Sequence, residues 1–143
     1  GFDIVVASLH TSLRQPREQI TQRLLNAIRN PHVDIIGHPR GQLIGSREPA
    51  DLDMDAILEA AAEHDVALEI NASPYRLDLD DVQARRAHEL GVKLTISTDA
   101  HRPDELNNMR YGVAMARRGW VNAAGVVNAW PLQSVLDWVK ERG

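Results

Sequence analysis

Four short apolar runs rich in β-branched residues alternate with helical patterns, and this alternation narrows the fold more than any other feature of the sequence. The runs are Ile4 to Leu9, Val33 to Gly37, Val66 to Ile70 and Val92 to Ser97, and each reads as a buried strand. A helix is predicted from Pro16 to Arg29, where Ile20, Leu24 and Ile28 recur at fourfold spacing and Pro16 suits the first turn. A second is predicted near Asp53 to His64, with Asp53 as N-cap and Ile57, Leu58 and Ala61 facing inward. A third runs from Asp80 to Leu90 and stops at Gly91. Strands separated by helices imply parallel strands joined by crossovers, in an open sheet or a barrel. After the last strand the pattern is helical only. Leu106, Met109, Val113 and Ala116 form one stripe ending at Gly119, and a Pro131-led segment carries Leu132, Val135, Leu136 and Val139 as a helical cap.

The chain enters a strand almost at once, with Gly1 followed directly by core-type residues, so a longer parent protein is expected. Four strands are too few to close a barrel. The first and last are therefore expected to expose unpaired edges, which a partner or a missing half would cover. With 143 residues of which 43% are hydrophobic, the chain has enough apolar material for one core. Acids outnumber bases by 20 to 16, which excludes a global basic field, so any polyanion contact must be local. Lys93 and Lys140 are the only lysines; the arginine bias suits bidentate phosphate contacts and equally a GC-rich genome. No apolar run approaches the roughly 20 residues of a membrane helix and the start lacks a signal-peptide layout, so the expectation is no membrane contact and a cytoplasmic location.

Chemistry concentrates at the strand ends. Three of the four runs end in a histidine-bearing tip, namely Ser8-Leu9-His10, Gly37-His38-Pro39 and Thr98-Asp99-Ala100-His101. Parallel α/β folds gather their ligands at the carboxyl ends of strands, so the three tips are expected to converge. With no cysteine in the chain, imidazole and carboxylate are the strong metal ligands left. The set suits zinc, manganese or iron, and metals held side by side can activate water and clamp a phosphate. Asp99 and His101 are read as a pair leaving an extended segment on one face. Glu69, in a strand otherwise apolar, is either a ligand or a buried, partnered carboxylate, and the second is favoured. Asn71 lies at the same strand tip, ahead of Ala72-Ser73-Pro74-Tyr75-Arg76, a loop with groups suited to a phosphate or nucleotide. Arg40 and Arg47, in a loop from Arg40 to Leu52 long enough to cover a site, and Arg102 are further candidate phosphate contacts. His32, His64 and His88 have nothing convergent nearby and are read as solvated.

The three tips resemble the later metal motifs of the PHP (polymerase and histidinol phosphatase) superfamily. Glu69-Ile70-Asn71-Ala72-Ser73-Pro74-Tyr75-Arg76-Leu77-Asp78-Leu79, Met109-Arg110-Tyr111-Gly112-Val113, Arg118-Gly119-Trp120 and Asn128-Ala129-Trp130-Pro131-Leu132 look like the PHP domain of bacterial and archaeal family X DNA polymerases. The resemblance spans essentially the whole chain. It implies an α/β fold, part of a distorted (β/α) TIM-like barrel of seven strands, with residues 1–143 as the C-terminal portion of one PHP domain. By the same resemblance His10, His38, Asp99 and His101 match metal ligands, Asp99 and His101 are the candidate catalytic pair, and Glu69 matches no ligand. Arg40, Asn71 and Arg76 are the candidate substrate contacts. Divalent metals, up to three of manganese, zinc or iron in a complete domain, and a 3′ to 5′ exonuclease or 3′-end processing activity in DNA repair are also implied. The implied partners are DNA, at 3′ ends and gaps, and the missing N-terminal part of the domain.

The family's opening motifs, a His-x-His pair, a further histidine and a glutamate, have no counterpart in this sequence, so the chain alone is expected to be metal-poor and inactive. Two other readings accompany this one: a structural or interaction module with a vestigial metal site, and a small-molecule phosphatase of the histidinol phosphate type.

Overall fold

A computed structural model describes residues 2–142; Gly1 and Gly143, the ends of the expected domain, lie outside the described residues. Among those described, four parallel strands and five α-helices alternate as the sequence predicts, in the arrangement of part of a TIM-like PHP fold. The strands β1 (Val6–Ser8), β2 (Ile35–Gly37), β3 (Ala67–Asn71) and β4 (Leu94–Ser97) lie side by side in sequence order. Their registers pair Val6 with Ile35, Ile35 with Ala67, and Leu68 with Leu94. The helices are α1 (Arg17–Ile28), α2 (Met54–Glu63), α3 (Asp81–Glu89), α4 (Met109–Arg118) and α5 (Leu132–Arg142).

Alternation along each strand sends successive side chains to opposite faces. On the outer face Ile36, Leu68, Ile70 and Leu94 join Ile20, Leu24 and Ile28 of α1 and Ile57 and Leu58 of α2 in the main core, nearly all without solvent contact. The expected inner faces of α1 and α2 are thus the observed ones. Helix starts follow local chemistry. Asp53 accepts the Ala56 N–H at 3.2 Å, and Asp80 with Gln83 forms a reciprocal capping box on α3. In α4 Gly112 lets the helix settle on the sheet, since a Cβ there would stand 2.8 Å from that of Ala72 and closer still to Ile96.

The inner face has two levels. At the amino end Ala67 packs with Val127 and Trp138 of α5 in a second apolar cluster, bordered by Ile35, Trp130 and Val135. Trp138 donates from Nε1 to the Asp65 carbonyl at 3.2 Å and meets Trp130 edge-on at 6.2 Å. Arg142 seals this end, bonding Asp34 at 3.3 Å and the carbonyls of Val33 and His64. At the carboxyl end the same face presents Gly37, Glu69 and Asn71.

Two expectations change. The edge of β4 is not bare: Leu94 bridges to Val126, and the Asn128 side-chain amide pairs with both backbone groups of Ile96, at 3.0 and 2.9 Å. A side-chain amide carries one acceptor and a donor group, so it stands in for a neighbouring strand's peptide. Val6 on β1, by contrast, is 56% exposed. The stripe from Leu106 to Ala116 also divides. Pro103–Asn108 is a 3-10 turn, whose three residues per turn shift Leu106 out of register with α4 and leave it exposed.

Candidate metal centre

His38 stands at the centre of the polar end. It follows β2 with φ of 50°, and Asp99 follows β4 with φ of 56°; both occupy the left-handed region that non-glycine residues rarely adopt. Gly37 makes room beside His38, because a Cβ there would meet Ser8 Oγ at 2.8 Å. The departure at Asp99 also changes one sequence expectation. The segment from Asp99 to His101 is not extended, so the two-residue rule for sharing a face does not apply. His101 is aimed instead by a 2.7 Å bond from its Nδ1 to the Asp99 carbonyl. A carbonyl oxygen only accepts, so Nδ1 carries the proton and Nε2 keeps its lone pair for a ligand.

The two nitrogens of His38 face different surroundings. Nδ1 lies 3.3 Å from Glu69 Oε2 and 3.8 Å from Asp78 Oδ2, while Nε2 faces Asp99 Oδ2 at 3.9 Å. Asp78 and Glu69 favour the charged ring and push its pKa up to about 9, against the opposing effect of burial. Both acids sit below the usual carboxylate range despite burial, because the His38 ring lies against each and Arg76 adds to the effect at Asp78. Glu69 also accepts the His38 backbone N–H at 2.8 Å. Asp78 accepts the Gly41 N–H at 2.8 Å and the Arg76 guanidinium at 3.0 Å.

Two arrangements could hold a metal among the described residues. In one, His38, Glu69 and Asp78 place their donor atoms within 4.8 Å of one another. Those acids already accept other donors, the His38 backbone N–H at Glu69 Oε2 and the Gly41 N–H and Arg76 guanidinium at Asp78. They act more naturally as carboxylates that orient the ring from its Nδ1 side, as metal-bound histidines generally require. In the other, His38 Nε2 and Asp99 Oδ2, 3.9 Å apart, approach the roughly 3.3 Å separation of two donors on a tetrahedral ion with bonds of ~2.0–2.1 Å. The His10 ring lies edge-on to His38 with centroids 5.7 Å apart, and the His101 ring touches the Asp99 carbonyl; among the described residues His10, His38, Asp99 and His101 do not bring three donor atoms within 4.8 Å of one another. Imidazole nitrogens and a carboxylate in this setting fit a divalent metal.

The other candidates are engaged. Asn71 turns its Oδ1 to the Ser73 N–H at 2.9 Å, so its amino group points to His38 Nδ1, Glu69 and Asp99 at 3.3, 3.4 and 3.5 Å. Arg40 bonds Gln83 at 3.2 Å, Arg76 bonds Asp78, and Arg47 bonds the Gly41 carbonyl at 2.7 Å. That last contact, with the bond from the Ala50 N–H to the Arg40 carbonyl, folds the 40–52 loop back on itself. Arg102 pairs with Asp104 and Glu105, and the His101 backbone N–H, bonding Glu105, holds that acid's pKa down. His32 is exposed, whereas His64 and His88 are half-buried. Asp78 is the site residue that the sequence reading does not single out. Its signal is an acid between two leucines, placed two residues after Arg76.

Comparison with known proteins agrees with the resemblance. The chain is 46% identical over 139 residues, 97% of its length, to the C-terminal part of the DNA polymerase/3′-5′ exonuclease PolX of Bacillus subtilis, of which it covers 24%. It is 38% identical over 109 residues to a protein described as a probable phosphatase from Caldanaerobacter subterraneus, spanning 41% of that protein. A second described phosphatase, from Thermoanaerobacter sp. strain X514, is 30% identical and 58% covered. The chain thus spans a quarter to somewhat over half of these relatives. No family model matches it.

Proposed function

We propose that this chain, similar to the C-terminal part of a PolX protein and to PHP-type phosphatases, supplies one side of a metal-dependent phosphoesterase centre in a family X DNA polymerase. Residues 1–143 are then the C-terminal portion of one PHP domain, and its N-terminal portion is the immediate partner. The observation that carries the reading is the grouping of His38 and Asp99 at 3.9 Å, with His10 and His101 beside them, at the carboxyl ends of parallel strands.

In this reading His10, His38, Asp99 and His101 hold divalent metal, and Asp99 and His101 lie next to the reacting phosphate. A divalent metal bound there supplies Lewis acidity toward a phosphate oxygen and makes water more acidic. Glu69 and Asp78 fix the His38 ring so that Nε2 faces Asp99. Asn71 bridges Glu69 and Asp99 and holds the carboxylate in place. Arg76, Asn71 and Arg40 are the proposed phosphodiester contacts, Arg76 from the cleft wall beside Asp99 with positive potential supplied without leaving Asp78. The substrate is a DNA 3′ end, and the product is a released nucleotide.

The test is release of nucleotides from a primer 3′ end with manganese, on the full-length native polypeptide and its His38→Ala and Asp99→Ala variants. Both variants are expected to lose activity by more than the roughly 10- to 100-fold that loss of a ligand's supporting group costs. Activity equal to wild type would overturn the assignment. The phosphatase relatives favour a second reading, hydrolysis of small phosphate monoesters such as histidinol phosphate. Turnover of such a monoester well above that of DNA ends would select it.

A further inference from the structure

Beside the metal-ligand candidates lies a cleft of about 400 Å³ lined by Asp99 and His101 on one side and by Ser73, Pro74, Tyr75 and Arg76 on the other. Its size falls within the roughly 300–1,000 Å³ range of small-ligand sites. The 72–77 loop that forms the second wall is held by its own bonds. The Ser73 N–H donates to Asn71 Oδ1 at 2.9 Å, the Arg76 N–H to the Ser73 carbonyl at 3.1 Å, and the Ile44 N–H to the Tyr75 carbonyl at 2.8 Å. Leu43 and Arg76 add a bridge between the two loops. The Arg76 side chain is tied to buried Asp78. Tyr75 is the exception: its backbone is fixed, yet its side chain is 75% exposed, and its hydroxyl has no partner among the described residues.

A single exposed tyrosine is ordinary on a protein surface. One held by a fixed backbone at the mouth of a cleft that also contains Asp99 and His101 is placed to stack on a ligand with little loss of conformational freedom. We infer that Tyr75 is a base-stacking, substrate-positioning residue, which receives the base of the 3′-terminal nucleotide while its phosphate lies at Asp99 and His101. The inference rests on the DNA 3′-end reading above and sharpens it. The cleft takes one nucleotide, so the end must be single-stranded or frayed. Stacking uses the π-face common to all bases, so sequence preference is weak.

The test uses the full-length native polypeptide and an oligonucleotide ending in 2-aminopurine, whose fluorescence is quenched on stacking. In metal-free protein the wild type and Tyr75→Phe quench the probe, and Tyr75→Ala does not, binding it about 5- to 150-fold more weakly for the loss of one base stack. In the manganese assay Tyr75→Ala raises KM with kcat little changed, and wild type and Tyr75→Ala treat an abasic 3′ end alike. Quenching by Tyr75→Ala equal to wild type, or none by wild type, overturns the stacking site. If instead quenching behaves as expected but manganese releases no nucleotide, the phosphoesterase reading fails while the stacking residue stands.

Discussion

The two ends of the sheet's inner face are built from the same strands and solve different problems. At the amino end, Ala67, Val127 and Trp138 close an apolar cluster, and a buried charge pair, Arg142 with Asp34, is supplemented by backbone carbonyls. At the carboxyl end, two buried acids share one histidine ring; left-handed backbone occurs at both ends, at His38 and Asp99 here and at Asp65 there. The first end minimises unsatisfied polarity and stabilises the fold. The second keeps polarity concentrated, which a packed core has no use for and a ligand site requires.

If that division is right, perturbations at the two ends separate. Trp138→Ala in the full-length polypeptide should cost about 3–5 kcal/mol of stability, as large-to-small changes of a buried aromatic do, read by urea unfolding. Manganese affinity of the folded fraction should be unchanged; a parallel loss would show that the ends are coupled. Glu69→Gln keeps side-chain shape and an acceptor for the His38 backbone N–H but removes a charge that favours the protonated ring, so metal-free protein should lose only the part of its stability at neutral pH that the pair contributes. Manganese affinity, measured by calorimetry, should fall about 10- to 100-fold as the ring loses a carboxylate that orients it.

A gentler effect is expected from pH. The His38 pKa is raised above its unfolded value to about 9, so the stability it contributes to metal-free protein is complete below the unfolded value. It is lost as pH rises through the folded one. Glu69 and Asp78 have lowered values, so their contribution is present above the unfolded carboxylate range and lost as pH falls through the folded values. Metal-free protein should therefore be most stable in mildly acidic solution, and thermal melts across pH should lose the alkaline decline in His38→Gln. Smallest is Asp80→Ala, which removes the α3 cap for about 1 kcal/mol in the same urea assay; a loss of several kcal/mol would mean that its 3.5 Å ion pair with Arg40 matters more than the cap.

The regular parts of this molecule were legible because their signals are local. Ile20, Leu24 and Ile28 declare one helical face, and Asp53 and Asp80 mark two helix starts within three residues of the bonds they make. Strands were legible in place and too long in extent. The run from Ile4 to Leu9 yields only Val6–Ser8, because pairing ends where the three-residue neighbour β2 ends. At the site, strand-end logic puts His10, His38 and Asp99 in one region, and alternation marks Glu69 as a buried, partnered acid. What it could not reach depends on distant loops closing together. Asp78 becomes part of the His38 environment only when the loop carrying Gly41 folds onto it, and Asn128 covers β4 only through a fold-back of 32 residues.

The central claim is that His38 offers Nε2 to a metal while Glu69 and Asp78 hold its other nitrogen. Anomalous diffraction from manganese-loaded crystals of the full-length polypeptide tests this directly. The account predicts a peak bonded to His38 Nε2 and the Asp99 carboxylate, with Glu69 and Asp78 remaining on the Nδ1 side. A peak seated among Nδ1, Glu69 and Asp78, or none at His38, would contradict it.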